Sequence, residues 1–317
     1  MKIVFMGTPH FAVPILDILV KNNYNIVGVI TAPDKPSGRG LKMHYSAVKE
    51  YALQHQLPIL QPEKLKNNEF IQELKALEAD LQIVVAFRML PEIVWNMPPK
   101  GTFNLHASLL PQYRGAAPIN YAVMNGEKIT GVTTFFLSHE IDTGNVILQQ
   151  SCTIGPNETA GELHDRLMHL GAETVLKTVQ MIEKNQVTEI PQQQMMVGEL
   201  KAAHKIFKED CNIDWDKDAQ TLHNFIRGLS PFPTAFTNLI LDKAEHILFK
   251  IYRAEYELAS HKNNIGSIES DGKNYLKVAC NNGYINLLQV QMAGKKAMSI
   301  QEFLRGFDVH KIKMMGT

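Results

Sequence analysis

The sequence predicts an α/β protein: a Rossmann-like, mostly parallel sheet with helices on both faces, followed by a smaller, largely β unit. Three observations carry this. Through the first half of the 317 residues, short apolar runs alternate with segments of helical spacing, the pattern of strands joined by right-handed crossovers. Those runs have no polar side, as suits a sheet covered on both faces. From about residue 207 onward, several short strand-like runs follow one another with turn signals between them and little helix, which points to a small barrel or sandwich.

Taken in order, "KIVFMG" is a first strand ending at Gly7, and "FAVPILDILVKN" follows with helical spacing. "NIVGVIT", "LPIL", "LQIVVAF" and "GTFNLHAS" are further strands, with the helix-permissive "NNEFIQELKALEA" among them. "TGVTTFFLS" and "NVILQQSCTI" are joined by the short "HEIDTG", which implies an antiparallel hairpin at the sheet edge. Thr159 opens a long helix, "TAGELHDRLMHLGAETVLKTVQMIEKN", that should pack back on the sheet. The polar stretch that follows has no apolar period. The expected division is therefore a catalytic domain over 1–188, a linker over 189–206 and a β domain over 207–317. The last begins with the helical "DAQTLHNFIRGL" and the turn-prone "SPFP"; "DGK" and "NNG" then separate its strands.

Composition narrows the function classes. With 45% apolar and 20% charged residues the chain can build a substantial core. Its 32 basic and 32 acidic residues leave no net charge, which excludes a broad electrostatic attraction to nucleic acid but not a local basic surface. Cys152, Cys211 and Cys280 are far apart and lack ligand spacing, so they read as reduced thiols of a cytoplasmic protein, with neither disulfide nor metal site. The amino-terminal stretch is a strand and turn, not a signal sequence, and no apolar run nears the ~20 residues of a membrane span. "GTP" at residues 7–9 is no nucleotide motif: GxGxxG and the Walker A pattern are both missing.

"FNLHASLLPQYRG" holds the densest chemistry. Residues two apart on a strand share a face, so Asn104, His106 and Ser108 point the same way near a strand's carboxyl end, where open α/β sheets bind ligands. Asn104 and His106 either satisfy backbone groups there or act on a substrate; Arg114 is either a ligand-facing cation or half of a structural salt bridge; Ser108 is either a contact or a cap. An active His106 needs a carboxylate to orient it, and "HEIDTG" supplies Glu140 and Asp142, although Asp142-Thr143-Gly144 is also an ordinary turn signature. His139 reads as a solvated turn residue. An amide, an imidazole and a carboxylate together suit acyl-type transfer: the amide donates to a carbonyl oxygen as charge develops, and the imidazole moves a proton. No GxSxG elbow is present, which favours direct attack by an acceptor over a covalent enzyme intermediate.

With those residues in view, "FNLHASLLPQYRGAAPI" followed by "HEIDTG" resembles the formyltransferases that use 10-formyltetrahydrofolate. "IVFMGTPHFAVPIL", "TAPDKPSGRG", "IRGLSPFPTAF" and "AGKKAM" are similar to the branch acting on methionyl-tRNA, and the likeness runs over nearly the whole chain. The resemblance implies the following. Asn104, His106 and Asp142 match the catalytic trio. Ser108, Leu109, Leu110 and Pro111, with Phe87, Met89 and Leu90 in the stretch to Pro91, match folate-contacting segments. Arg39, Lys35 and Lys42 sit in a loop that reaches the acceptor stem of the initiator tRNA, and Lys295 and Lys296 add phosphate contacts from a second domain that is an OB-like β-barrel. The reaction would be formyl transfer from the folate to the α-amine of methionine on initiator Met-tRNA, in translation initiation. No metal is required, and a monomer is expected. His106 serves as base or as oxyanion stabiliser, and the sequence leaves that open.

Two positions depart from the family pattern. His10 stands where many relatives have an acid, and Arg88 where a glycine-containing version is common; both bear on the rim of the folate pocket. The loop "DKPSGRGLK", rich in Gly, Pro and cations with no apolar anchor, should be mobile and solvated without a ligand; near an acceptor stem its cations meet phosphates, or Arg39 instead reaches base edges and contributes specificity. An amino-sugar or other small-amine acceptor, or water, is the alternative that keeps the trio, and the basic loop argues against it. A non-catalytic RNA-binding module is the second alternative; the trio and the zero net charge argue against that.

Overall fold

Runs of Val, Ile, Leu and Phe with no polar face can only be accommodated between two layers, and the computed structural model places them there. It describes residues 1–37, 42–241 and 245–316. In chain order the first elements are β1 (Lys2–Gly7), α1 (Val13–Lys21), β2 (Asn25–Ile30), β3 (Lys35–Ser37), β4 (Lys42–His44), α2 (Ala47–Gln54), β5 (Ile59–Leu60), α3 (Asn68–Ala76), β6 (Leu81–Val85), α4 (Glu92–Trp95), β7 (Thr102–His106), β8 (Arg114–Gly115), α5 (Pro118–Met124), β9 (Ile129–Phe136), β10 (Val146–Thr153) and α6 (Ala160–Glu183). The main sheet has seven strands in the order β10-β9-β7-β6-β1-β2-β5. The pairs from β7 to β5 are parallel, and β9 turns antiparallel to β7, with His106 opposite Thr133. The sheet is thus mostly parallel, with the hairpin strands at one edge, as the sequence predicts.

Local chemistry fixes the helix starts. Ser46 accepts from the Lys49 amide at the head of α2, and Asn67 accepts from the Glu69 amide at the head of α3. Thr159 and Glu162 form a reciprocal box at the head of α6: the Glu162 carboxylate accepts from the Thr159 amide at 2.9 Å and the Thr159 hydroxyl from the Glu162 amide at 3.2 Å. Thr178 of α6 then shares a 2.8 Å hydroxyl contact with Thr134 of β9, and Gly171 lies against Leu105 of β7. The helix therefore packs on the sheet beside the strand that carries Asn104 and His106.

The chain forms two compact units, neither continuous in sequence. The first comprises 1–115, 130–152 and 164–202; the second comprises 116–129, 153–163 and 203–317. In the second, α7 (Ala219–Leu229) starts on an Asp218 cap and packs on α5, where the Asn120 side chain donates to the Gly228 carbonyl at 2.7 Å. The remaining elements are β11 (Ala202–Ala203), which pairs with β8, then β12 (Ala235–Leu241), β13 (His246–Leu258), β14 (Ile268–Ser270), β15 (Leu276–Cys280), β16 (Gly283–Met292), β17 (Met298–Ser299), α8 (Ile300–Gly306) and β18 (Ile312–Gly316). The order β14-β15-β16-β13-β12-β18 curls round until the Met315 amide donates to the Gly266 carbonyl, just before β14, at 2.7 Å. Breaks of register around Arg253 bend the long β13 as a barrel requires. Gly266, at φ +80°, comes so near the Met315 backbone that a side chain there would overlap it. Phe249, Val278, Ile285, Leu287, Trp215 and Phe303 are among the buried side chains filling the interior. This is the small barrel expected from the short-strand pattern.

One local expectation is corrected. The flanks of the basic first loop are paired strands, although Lys35 and His44 are exposed: β3 and β4 pair antiparallel, Lys35 opposite His44 and Ser37 opposite Lys42, on either side of residues 38–41.

Candidate active site

β7 presents Asn104 and His106 at the carboxyl end of the parallel part of the sheet. The His106 ring is buried, and its Nε2 lies 2.9 Å from the Tyr113 carbonyl. A carbonyl oxygen only accepts, so Nε2 carries the proton and Nδ1 is the nitrogen left for chemistry. That Nδ1 faces the Asp142 Oδ2 at 3.9 Å, an ion-pair separation outside hydrogen-bond range. The same Oδ2 accepts from the Gly115 amide at 3.1 Å. Asn104 is different: its Oδ1 is buried, and among the described residues its side chain makes no hydrogen bond. Half a turn of the amide exchanges its oxygen and nitrogen, so an enclosed, unpartnered hydrogen-bonding group stands beside the histidine.

Asp142 is delivered by the loop between β9 and β10. It sits in the left-handed region at φ 56°, and Gly144 passes so close to the Phe136 carbonyl that any side chain there would overlap it. Within the loop, the Thr143 hydroxyl donates to the Glu140 carbonyl at 3.0 Å. His139, largely exposed, lies 3.7 Å from the Glu92 carboxylate and meets the Trp95 ring edge-on at 5.5 Å. Glu140 is exposed and stands apart from His106 as a pairing partner; Asp142 is the acid of "HEIDTG" that reaches it.

The segment 108–111 is held from inside. The Thr133 hydroxyl donates to the Ser108 carbonyl at 2.6 Å and accepts from the Leu110 amide at 3.1 Å, while Gln149 donates to the Leu110 carbonyl at 2.7 Å. The Ser108 hydroxyl donates to the Gln112 carbonyl at 2.6 Å, which leaves its oxygen able to accept but not to donate further. Leu110 and Pro111 are buried and Leu109 half-buried. In the other expected folate segment Leu90 is buried, Phe87 half-buried and Met89 77% exposed. Arg88, Met89 and Leu90 line a pocket of about 550 Å³. Arg88 donates to the Pro62 and Glu63 carbonyls, at 2.8 and 2.9 Å, and burial lowers the pKa of its guanidinium. The departure at Arg88 is thus a tie between two loops. A second pocket, about 470 Å³, lies along the Asp142 loop, with Arg114, Phe136, Leu137 and Met196 in its wall.

Arg114 makes no structural salt bridge among the described residues. It donates through Nε and Nη2, at 3.0 and 2.7 Å, to the amide oxygen of Gln192. Gln192 is fully buried, and the sequence reading overlooked it, because it lies in a polar run with no period to mark an inward-facing position.

Of the residues expected at tRNA, Lys35 is exposed on β3, Lys42 begins β4, and Lys295 and Lys296 are exposed on the turn between β16 and β17. Arg39 lies outside the described residues.

Sequence comparison matches residues 1–179 to the formyl transferase family and residues 205–308 to the formyl transferase C-terminal domain. The chain belongs to the formyl transferase family. Within it, the chain is 58% identical to the methionyl-tRNA formyltransferase of Bacteroides fragilis, over 97% of this chain and 95% of that one. It is 55% identical to the methionyl-tRNA formyltransferase of Flavobacterium johnsoniae, over 96% of each. The fold is similar to that of a solved N-formyltransferase from Helicobacter canadensis in complex with folinic acid and dTDP-3-aminofucose. The TM-score is 0.63 at 21% identity, covering 92% of this chain and all of that one. As a formyl transferase, the chain has Asn104, His106 and Asp142 within its first family match.

Proposed function

We propose that this formyltransferase takes the formyl group of 10-formyltetrahydrofolate and places it on the α-amine of methionine carried by initiator tRNA, the step that precedes translation initiation. The names of its relatives, at more than half identity over nearly the whole chain, support the acceptor. The unpartnered Asn104 amide, next to a histidine whose tautomer is fixed, carries the reading of the site.

The residues present fit the donor. When bound, the folate supplies an activated formyl carbon on a nitrogen able to leave. The Asn104 amide donates to the formyl oxygen as negative charge develops there. His106, with Nε2–H held by the Tyr113 carbonyl, takes a proton from the attacking amine on Nδ1. Asp142 faces that same nitrogen and stabilises the ring once it is charged. The proton then passes to the leaving nitrogen. The geometry thus favours the base over the oxyanion role for His106, because a ring protonated at Nε2 has its lone pair on Nδ1. Ser108, Leu109, Leu110 and Pro111, with Phe87, Met89 and Leu90, form the folate-facing segments, where Leu109, Phe87 and Met89 present the accessible apolar surface; Lys35, Lys42, Lys295 and Lys296 contact tRNA phosphates, and Arg39 a phosphate or a base edge. The enzyme works as a cytoplasmic monomer.

The test supplies the protein with 10-formyltetrahydrofolate and charged initiator tRNA and measures formyl-methionine. Asn104→Ala should lower kcat by about 100- to 1000-fold, the usual cost of removing one oxyanion donor, and leave KM for the tRNA within about twofold. Activity on a nucleotide-linked amino sugar, with none on the tRNA, would overturn the acceptor.

A further inference from the structure

We propose that Gln192 is a positioning residue of the formyl transfer: it holds the backbone that carries Asp142. This rests on the reading of Asp142 given above.

The observations converge on one side chain. Gln192 is fully buried, and its whole hydrogen-bonding capacity is directed at the site. Its Nε2 donates to the carbonyls of Asp142 and Gly144, both at 2.9 Å. Its Oε1 accepts two bonds from Arg114, the neighbour of Gly115, whose own amide holds the Asp142 carboxylate. One amide therefore ties the loop that delivers the carboxylate to the loop that receives it. Its own position is fixed as well: Ile190 and Val146 exchange two backbone bonds at 2.9 Å, and Asn145 donates to the Glu189 carboxylate at 2.9 Å.

The carbonyls explain why an amide stands here. Asp142 is held in the left-handed region, and both carbonyls captured by Gln192 belong to that tight turn. A buried carbonyl needs a donor, and here two carbonyls and a guanidinium must be satisfied from one point. A primary amide supplies two donors and an acceptor; a carboxylate supplies only acceptors, and an aliphatic chain neither. Arg114 is bound through a neutral oxygen and shares the wall of the adjoining pocket with Glu140 and Glu189. Because the Asp142 carboxylate lies 3.9 Å from Nδ1, a small displacement of the turn removes it from reach.

The experiment compares Gln192→Ala and Gln192→Glu, each alone and combined with Asp142→Asn, in the intact protein. Each single variant should lose about 100-fold in kcat, as expected for an ångström-scale misplacement, with KM for donor and tRNA within about threefold. In the Asp142→Asn background the same changes should cost less than about threefold more, because residues acting through one group are not additive. Hydrogen exchange of the peptide 137–145 should quicken by about tenfold in Gln192→Ala. Losses that multiply in the double variants, or kcat within about threefold of the wild type, would overturn the inference. A wild-type protein without formyl transfer would instead refute the functional reading, and the exchange measurement would still decide whether Gln192 holds the loop.

Discussion

Asn104 and Asp142 illustrate two ways in which a single residue departs from what stability alone would select. A buried polar atom without a partner costs about 1–3 kcal/mol, and the Asn104 Oδ1 is such an atom; the role proposed for Asn104 accounts for that cost by a bond made only when substrate is present. Asp142 holds a left-handed backbone angle that Asn adopts as readily as Asp. Asp142→Asn therefore removes the charge without straining the turn. We expect it to change the unfolding free energy by less than about 0.5 kcal/mol, the range of substitutions that leave packing and backbone intact. Its kcat should fall by about 100-fold or more, by analogy with other carboxylates that steady a catalytic histidine. Denaturant titration and steady-state kinetics on one preparation separate the two effects. Arg88 acts differently. It ties the loop of Phe87–Leu90 to the carbonyls of residues 62 and 63, so Arg88→Met should raise KM for the folate several-fold while kcat with saturating donor stays near that of the wild type.

At the scale of elements, α7 contains a built-in pH dependence. His223 is buried against Tyr256, and burial, reinforced by the positive charge of Arg227, lowers its pKa from 6.5 to about 4. Arg227 itself is buried, donating to the carbonyls of Gly155 and Glu158. The unfolded chain takes up the His223 proton as pH falls below 6.5 and the folded chain does so only near 4. The contribution is therefore complete above pH 6.5 and lost progressively toward 4, on the order of 3 kcal/mol across the window. Urea titrations followed by the emission of Trp215, in a Trp95→Phe background, should show this slope, and His223→Leu should flatten it. The same elements show how far the sequence could be read. The strands and the long α6 were legible because apolar period and caps are local properties of the chain. That Asn104 and His106 stand together at a strand end was legible because a strand fixes which residues share a face, and the acid facing His106 was narrowed to two candidates of the loop. Gln192, the Tyr113 carbonyl and Thr133 were not, because each acts through a contact made between distant segments, and none carries a local pattern. The pairing of β3 with β4 escaped for a related reason: flanks of two or three residues are too short to show alternation.

For the molecule as a whole, the balance of charge sets the terms for a polyanionic substrate. With 32 basic and 32 acidic residues there is no net attraction to a tRNA, so binding must come from local groups of cations. Lys295 and Lys296 stand exposed on the turn between β16 and β17, where Gly294, at φ +75°, has no neighbour within 4 Å of a side-chain position. The Lys295 backbone is fixed, its amide donating to the Met292 carbonyl at 3.0 Å and its carbonyl accepting from Gln291 at 2.8 Å. Two ammonium groups on a fixed turn suit phosphates better than bases, since they read charge and not sequence. Each phosphate neutralised contributes about −0.7 to −0.9 to the slope of log affinity against log salt. Lys295→Gln with Lys296→Gln should therefore make that slope shallower by roughly 1.5 for the tRNA and raise KM most at low salt. Hydrolysis of the folate's formyl group without tRNA should be unchanged. An unaltered salt slope would remove these lysines from the tRNA surface and would leave the roles proposed for Asn104, His106 and Asp142 untouched.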